Sequence, residues 1–147
     1  GLIKVGNEPY VIEYNVRMGD PETQVVLPRI KNDFLDLMVS TANGNLKAES
    51  IEIDEMTYTN VVLASSGYPE SYEKGKVIEG IDDVSESSVL HAGTINQNGQ
   101  VLTNGGRVLA VTSFGKDFKL ALSKSYSVIK NIKYEGIYYR NDIGFDL

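Results

Sequence analysis

A chain of 147 residues with 41% hydrophobic and 23% charged positions has the make-up of an ordinary globular protein, which excludes a fibre or a disordered tail. Lys and Arg number 14 against 20 Asp and Glu, a net charge of −6 that disfavours non-specific nucleic-acid binding, so any phosphate must be held by local groups. Cysteine is absent and histidine occurs once, which excludes disulfides, thiolate metal sites and multi-histidine centres and fits a reducing, cytoplasmic setting.

Leu2–Val5, the Gly6-Asn7 turn signal and Tyr10–Asn15 predict a β-hairpin. Glu13, Asn15 and Arg17 sit two apart, so in extended backbone they share one face, with Ile12, Tyr14 and Val16 packing on the other. A carboxylate, an amide oxygen and a guanidinium in a row suit a nucleotide phosphate and its Mg²⁺. The same residues also suit a half-exposed strand with a surface ion pair.

Asp20-Pro21-Glu22 reads as a helix start, with Asp as N-cap and Pro at the first helical position. Val26, Leu27, Ile30, Phe34, Leu37, Met38 and Ala42 predict one amphipathic helix that ends at Asn43-Gly44-Asn45, its regular part beginning near Pro28. Leu46–Glu55 reads as an acidic connection. Thr57–Ser65, Lys76–Ile78, Ser88–Ile95, Gln100–Thr103 and Arg107–Ser113 are predicted strands, with a polar loop at Asp82–Ser87. Phe118, Ala121, Leu122, Ser125, Ile129 and Ile132 mark a second amphipathic helix, and the tail Ile137–Leu147 has no helical period. The expected class is α+β: a mostly antiparallel sheet or small barrel (46–147) crossed by a helix and preceded by the remnant of another domain (1–45). No apolar run approaches membrane-spanning length, the start lacks a signal-peptide pattern, and no Gly-rich loop with Lys-Ser/Thr occurs.

The run Val11–Ile30 contains Glu-Tyr-Asn-Val-Arg-Met-Gly-Asp-Pro-Glu-Thr-Gln. It is followed in order by Val61–Pro69, His91-Ala-Gly-Thr94, Thr103-Asn-Gly-Gly-Arg-Val-Leu109 and Tyr139–Gly144. These five segments resemble the last active-site segment and the successive C-terminal motifs of the phosphoribosylamine–glycine ligase (glycinamide ribonucleotide synthetase) family of ATP-grasp enzymes. Met18 stands where that family often has Phe, an apolar exchange of similar bulk.

The resemblance implies an ATP-dependent carbon–nitrogen ligase of purine biosynthesis that joins glycine to 5-phosphoribosylamine through glycyl phosphate. It implies Glu13 and Asn15 as ligands of a Mg²⁺ (or Mn²⁺) bridging the ATP phosphates, and Arg17 as the catalytic contact to phosphate or acyl phosphate. For Arg17 an ion pair with Glu13 or Asp20 is the alternative. Asp20 is expected to face substrate, while the role of Glu22 stays open. Gly105 and Gly106 let backbone N–H groups approach an anion, and by analogy with related ligases Arg107 holds the ribose phosphate of phosphoribosylamine; a tight hairpin turn explains the same residues. His91 reads as hydrogen-bonded in its loop or as lying near substrate.

Gly1-Leu2-Ile3 reads as strand interior, so a missing amino-terminal part of the same chain is the expected partner, beside ATP, glycine and phosphoribosylamine. No nucleic-acid or membrane partner is expected. The chain alone is expected to hold no cofactor and to be inactive. The rival readings are a stand-alone ligand- or partner-binding module, which an exposed hairpin edge disfavours, and another ATP-grasp carboxylase or ligase.

Overall fold

In the computed structural model, residues 1–47, 51–82, 84 and 86–147 are described. The elements in chain order are β1 (Leu2–Val5), β2 (Glu8–Val11), α1 (Thr23–Val26), α2 (Phe34–Ala42), β3 (Thr57–Ser65), β4 (Ser87–His91), β5 (Thr94–Gln97), β6 (Gln100–Thr103), β7 (Arg107–Gly115), α3 (Phe118–Ile129) and β8 (Ile137–Tyr138).

Two nine-residue strands rich in Val, Leu, Ala and Thr, β3 and β7, form the centre, paired antiparallel from Thr57↔Gly115 to Leu63↔Leu109. β4 adds beside β7 and β8 beside β3, giving the order β4-β7-β3-β8, while β5 and β6 form a separate hairpin. The four-stranded sheet stays open, and no barrel closes among the described residues. Asp117 caps α3 by accepting from the Leu120 N–H at 2.8 Å. The helix lies across the sheet, setting Val128 and Ile129 against Val61, Leu63, Leu109 and Val111. Between them runs a chain of hydroxyls: Ser87 to Ser113 at 2.7 Å, Ser125 to Ser113 at 2.8 Å, and Thr59 to Ser125 at 3.5 Å. Ser113 and Ser125 are fully buried, and their mutual bond removes the cost of burying polar groups. Tyr134 closes the other end of the core, donating to the Ala64 carbonyl at 3.0 Å; burial pushes its phenol well above the ordinary tyrosine value.

The register shifts between Leu63 and Ala64, where Ala64 pairs with Arg107 and Val108 is left over. Val108 and Leu109, though adjacent, both join the core cluster, as a β-bulge allows. Beyond the bulge Arg107 stands opposite Ala64 and so points away from α3.

Several expectations change. The second hairpin strand is Glu8–Val11, not Tyr10–Asn15: past Val11 only Gly1 stands alongside, taking the Ile12 N–H at its carbonyl and donating from its amine to the Glu13 carbonyl at 2.7 Å. Ile12, Tyr14 and Val16 are therefore not packed but 64%, 86% and 98% exposed. The single helix from Asp20 becomes α1, a 3-10 turn at Leu27–Arg29 and α2, because Pro28 cannot donate within a continuous helix. Asp33, not Asp20, is the effective N-cap, accepting from Leu35 and Asp36. Between the two helices Ile30 bridges Ile53, and Arg29 donates twice to the Asp54 carbonyl. Lys76–Ile78 forms one isolated bridge, Val77↔Leu102, rather than a strand, and Ser88–Ile95 breaks into β4 and β5 at Ala92-Gly93. Of the connection Leu46–Glu55, residues 48–50 lie outside the described residues, as do 83 and 85 of the loop Asp82–Ser87.

Candidate functional site

The segment after β2 runs without a ladder partner, yet keeps Glu13, Asn15 and Arg17 on one cavity of about 490 Å³, which Met18, Gly19, Asp20, Pro21, Glu22 and Arg107 also line. Two stretches 87 positions apart thus meet in one place. Their joint is an ion pair: Arg107 Nη2 lies 3.1 Å from Asp20 Oδ2, and Arg107 Nη1 donates to the Asp20 carbonyl at 3.0 Å. The bulge in β7 makes this possible, because it turns Arg107 to the face opposite α3.

Local sequence explains why Asp20 is free for this role. The Gly19 carbonyl accepts from both the Thr23 N–H (2.9 Å) and the Thr23 hydroxyl (2.6 Å), so the turn into α1 is closed without Asp20. The helix N-cap is Glu22, in helical geometry and without a side-chain cap. Asp20 Oδ1 accepts instead from Gln24 Nε2 at 2.7 Å. Glu22 folds its carboxylate over Gly19, where a β-carbon would collide with it. The Asp20–Pro21 and Tyr68–Pro69 peptide bonds are cis.

Asn15 Nδ2 donates to Glu13 Oε1 at 3.1 Å, bringing a carboxylate and an amide side chain together at the cavity wall. Both are hard oxygen donors of the kind Mg²⁺ takes, and two donors suit a cation that draws its remaining oxygens from water and phosphates. Among the described residues no group of three or more His, Cys, Asp or Glu could hold a metal by itself. Arg17 pairs with neither Glu13 nor Asp20; its Nη1 donates to the Met18 carbonyl at 3.3 Å.

Gly105 and Gly106 have a packing duty that the sequence does not announce. A β-carbon on Gly106 would collide with the Tyr68 ring, and one on Gly105 would come within 2.9 Å of the Gly93 Cα. Ser65 ties both residues down, its hydroxyl donating to the Gly105 carbonyl at 3.0 Å and its N–H to the Gly106 carbonyl at 2.8 Å. Three chain segments therefore touch at the turn that launches Arg107. His91 Nδ1 lies 3.0 Å from the Thr94 hydroxyl, a contact within its own loop. Arg140 and Asp142 form an ion pair in the tail, and the hydrogen bond from the guanidinium holds the Asp142 carboxyl below its ordinary value.

A second cavity, about 430 Å³, opens beside Ser65, Ser66, Ser71 and Tyr72. In its wall Lys76 lies 2.7 Å from Glu73 and 2.9 Å from Glu135. Gln24, Tyr68, Gly93 and this lysine were not singled out as site residues from the sequence. Gln24 had a signal, since four residues separate it from Asp20 on a helix start.

Known proteins match this chain in sequence and fold. The family described as Phosphoribosylglycinamide synthetase, C domain, matches residues 58–146. A phosphoribosylamine–glycine ligase from Chlorobaculum tepidum is 44% identical over 147 residues, covering 98% of this chain and 35% of the relative. One from Caldanaerobacter subterraneus subsp. tengcongensis is 43% identical over 143 residues, covering 97% of this chain and 34% of the relative. The crystal structure of the Thermotoga maritima phosphoribosylamine–glycine ligase superposes with a TM-score of 0.83 at 37% identity, over 97% of this chain and 35% of that one. The chain spans about a third of the length of the relatives it matches. It belongs to the phosphoribosylglycinamide synthetase C-domain family.

Proposed function

We propose that this chain supplies one wall of the active site of a phosphoribosylamine–glycine ligase, which converts ATP, glycine and 5-phosphoribosylamine to glycinamide ribonucleotide, ADP and phosphate in the cytoplasm. The observation that carries this reading is the single cavity shared by Glu13, Asn15, Arg17, Asp20 and Arg107. Residues 1–45 then close the ATP-grasp part, and 46–147 form the C domain.

The glycine carboxylate attacks the γ-phosphoryl group to give glycyl phosphate, and the amine of phosphoribosylamine displaces phosphate from the acyl carbon. Arg17 lines the same cavity as Glu13 and stabilises charge on the transferring phosphoryl group. Arg107 donates one N–H to the Asp20 carbonyl and pairs with its carboxylate, which leaves further donors for the phosphate of phosphoribosylamine. Glu13 and Asn15 would hold a Mg²⁺ or Mn²⁺ ion, which when bound neutralises phosphate charge. Positioning dominates such a reaction, and the acyl phosphate must be kept from water.

Exposed apolar residues on both faces of the hairpin and in the segment after it, Leu2, Tyr10, Ile12, Tyr14 and Val16 among them, offer surface for the remaining two-thirds of such a ligase. Phosphate release by the full-length enzyme tests the reading. Release that needs both glycine and phosphoribosylamine, and that Glu13→Ala abolishes, is the expected outcome. Release without glycine, or indifference to Glu13→Ala, would overturn it.

A further inference from the structure

Asp20 is held at both carboxylate oxygens by different side chains: Oδ2 by Arg107 at 3.1 Å and Oδ1 by Gln24 Nε2 at 2.7 Å. Gln24 is half-buried on the first residues of α1. Its other amide atom, Oε1, is buried without a hydrogen-bond partner among the described residues. A buried amide oxygen with no donor is unfavourable, so the side chain is not placed there to satisfy itself. Among the described residues, the side chain's one hydrogen bond is the bond to Asp20. The series Gln24, Asp20, Arg107 leads from the helix to the cavity that Arg107 lines. A carboxylate gripped at one oxygen alone can rotate, and the guanidinium would follow it.

We propose that Gln24 is a positioning residue for recognition of a sugar phosphate: through Asp20 it fixes the plane of Arg107, so that the guanidinium's remaining N–H groups face the phosphate of the amine substrate. This deepens the ligase reading above and rests on it. The reacting atoms are not touched by Gln24, so binding of the phosphorylated amine depends on it and phosphoryl transfer to glycine does not.

The test uses the full-length ligase and Gln24→Met, which keeps the length and helix propensity and removes the donor. The KM for phosphoribosylamine should rise ~10-fold, as for loss of a hydrogen bond to a charged group. The KM values for ATP and glycine, and kcat, should stay within about two-fold. In an Asp20→Ala background the same exchange should have no further effect, because the relay is already cut. Equal increments in both backgrounds, or an unchanged KM for phosphoribosylamine, would overturn the proposal. Should Gln24→Met fold poorly, Gln24→Glu keeps the shape, sets a carboxylate against Asp20, and must give the same KM split. A wild-type enzyme that releases no phosphate with both substrates overturns the ligase reading and this proposal together. An active enzyme indifferent to both Gln24 variants overturns the positioning role alone.

Discussion

Adding one methyl group at Gly93 tests whether the contact between the His91–Thr94 and Thr103–Arg107 segments governs the site. A β-carbon on Gly93 would lie 2.6 Å from the Arg107 carbonyl oxygen, 2.7 Å from the Gly105 Cα and 2.9 Å from the Gly105 nitrogen. Comfortable carbon contacts are about 3.5–4.0 Å, so the overlap is roughly 1 Å. All three atoms belong to the backbone, and no side-chain rotation relieves them; the turn must move. The Gly93 N–H is itself bonded to the Arg107 carbonyl at 2.8 Å, which resists that movement. Overpacking of this kind costs about 1–3 kcal/mol. For a chain of this size that lowers the midpoint of thermal unfolding by roughly 3–10 °C. Because the turn launches Arg107, a ~1 Å displacement should also weaken the proposed ligase activity of the full-length protein up to ~100-fold in kcat/KM. Circular-dichroism melts of wild type and Gly93→Ala, with Ala92→Ser at the exposed neighbour as control, give the first number. A Gly93→Ala midpoint within 1 °C of wild type would show that the segments part freely and that the packing argument is wrong.

Four further outcomes follow from the same structure. Leu63 is fully buried opposite Leu109, so Leu63→Ala should cost about 2–5 kcal/mol in urea unfolding, and a cost below ~1 kcal/mol would contradict the core described here. Asp117→Ala should cost about 1 kcal/mol by uncapping α3, read from the same experiment, with Asp117→Asn nearly neutral. Lys76 is held above its ordinary value of 10.5 by its hydrogen bonds to Glu73 and Glu135, and Glu73 below its ordinary 4.5 by the Lys76 hydrogen bond. The lysine's contribution is complete below 10.5 and fades as pH rises through its raised folded value, whereas the Glu73 contribution is complete above 4.5 and fades as pH falls through its lowered folded value. The stability difference between wild type and Lys76→Met should therefore shrink toward both extremes, and a difference constant with pH would refute the pairing. Finally, the 147-residue chain alone should release no phosphate from ATP with glycine and phosphoribosylamine; turnover by it would refute the view that the site needs more protein.

Legibility in the sequence followed the range of the forces involved. Thr57–Ser65 read correctly, and the second helix did apart from its end (the period runs on to Ile132, whereas the helix stops at Ile129), because β-branched content and a three-to-four period are local properties. The split of Ser88–Ile95 did not, because Gly93 breaks the strand by touching Gly105, a neighbour twelve residues away that no local pattern names. The Asp20 reading failed as capping for a related reason: an acid before Pro is a good helix start until a distant arginine claims it. The alternation of Glu13, Asn15 and Arg17 pointed to one shared wall even though the strand ends at Val11, since extended backbone keeps period two without a ladder. That Arg107 would turn toward them was not readable, because it depends on the extra residue Val108 in a register set by β3.

That extra residue makes the site a matter of counting. Along β7, unbroken pairing at the present length would put Arg107, two residues from Leu109, on the same apolar side beneath α3; the bulge sets it opposite Ala64 and sends the guanidinium to the other face. With one residue fewer and no bulge, the arginine would still stand opposite Ala64. Length and bulge are therefore tied, and either one changed alone would turn Arg107 to the other side. A homologue one residue shorter here would keep its arginine on the Asp20 side only by pairing without the bulge, so residue count and bulge must be read together to tell which face the arginine takes.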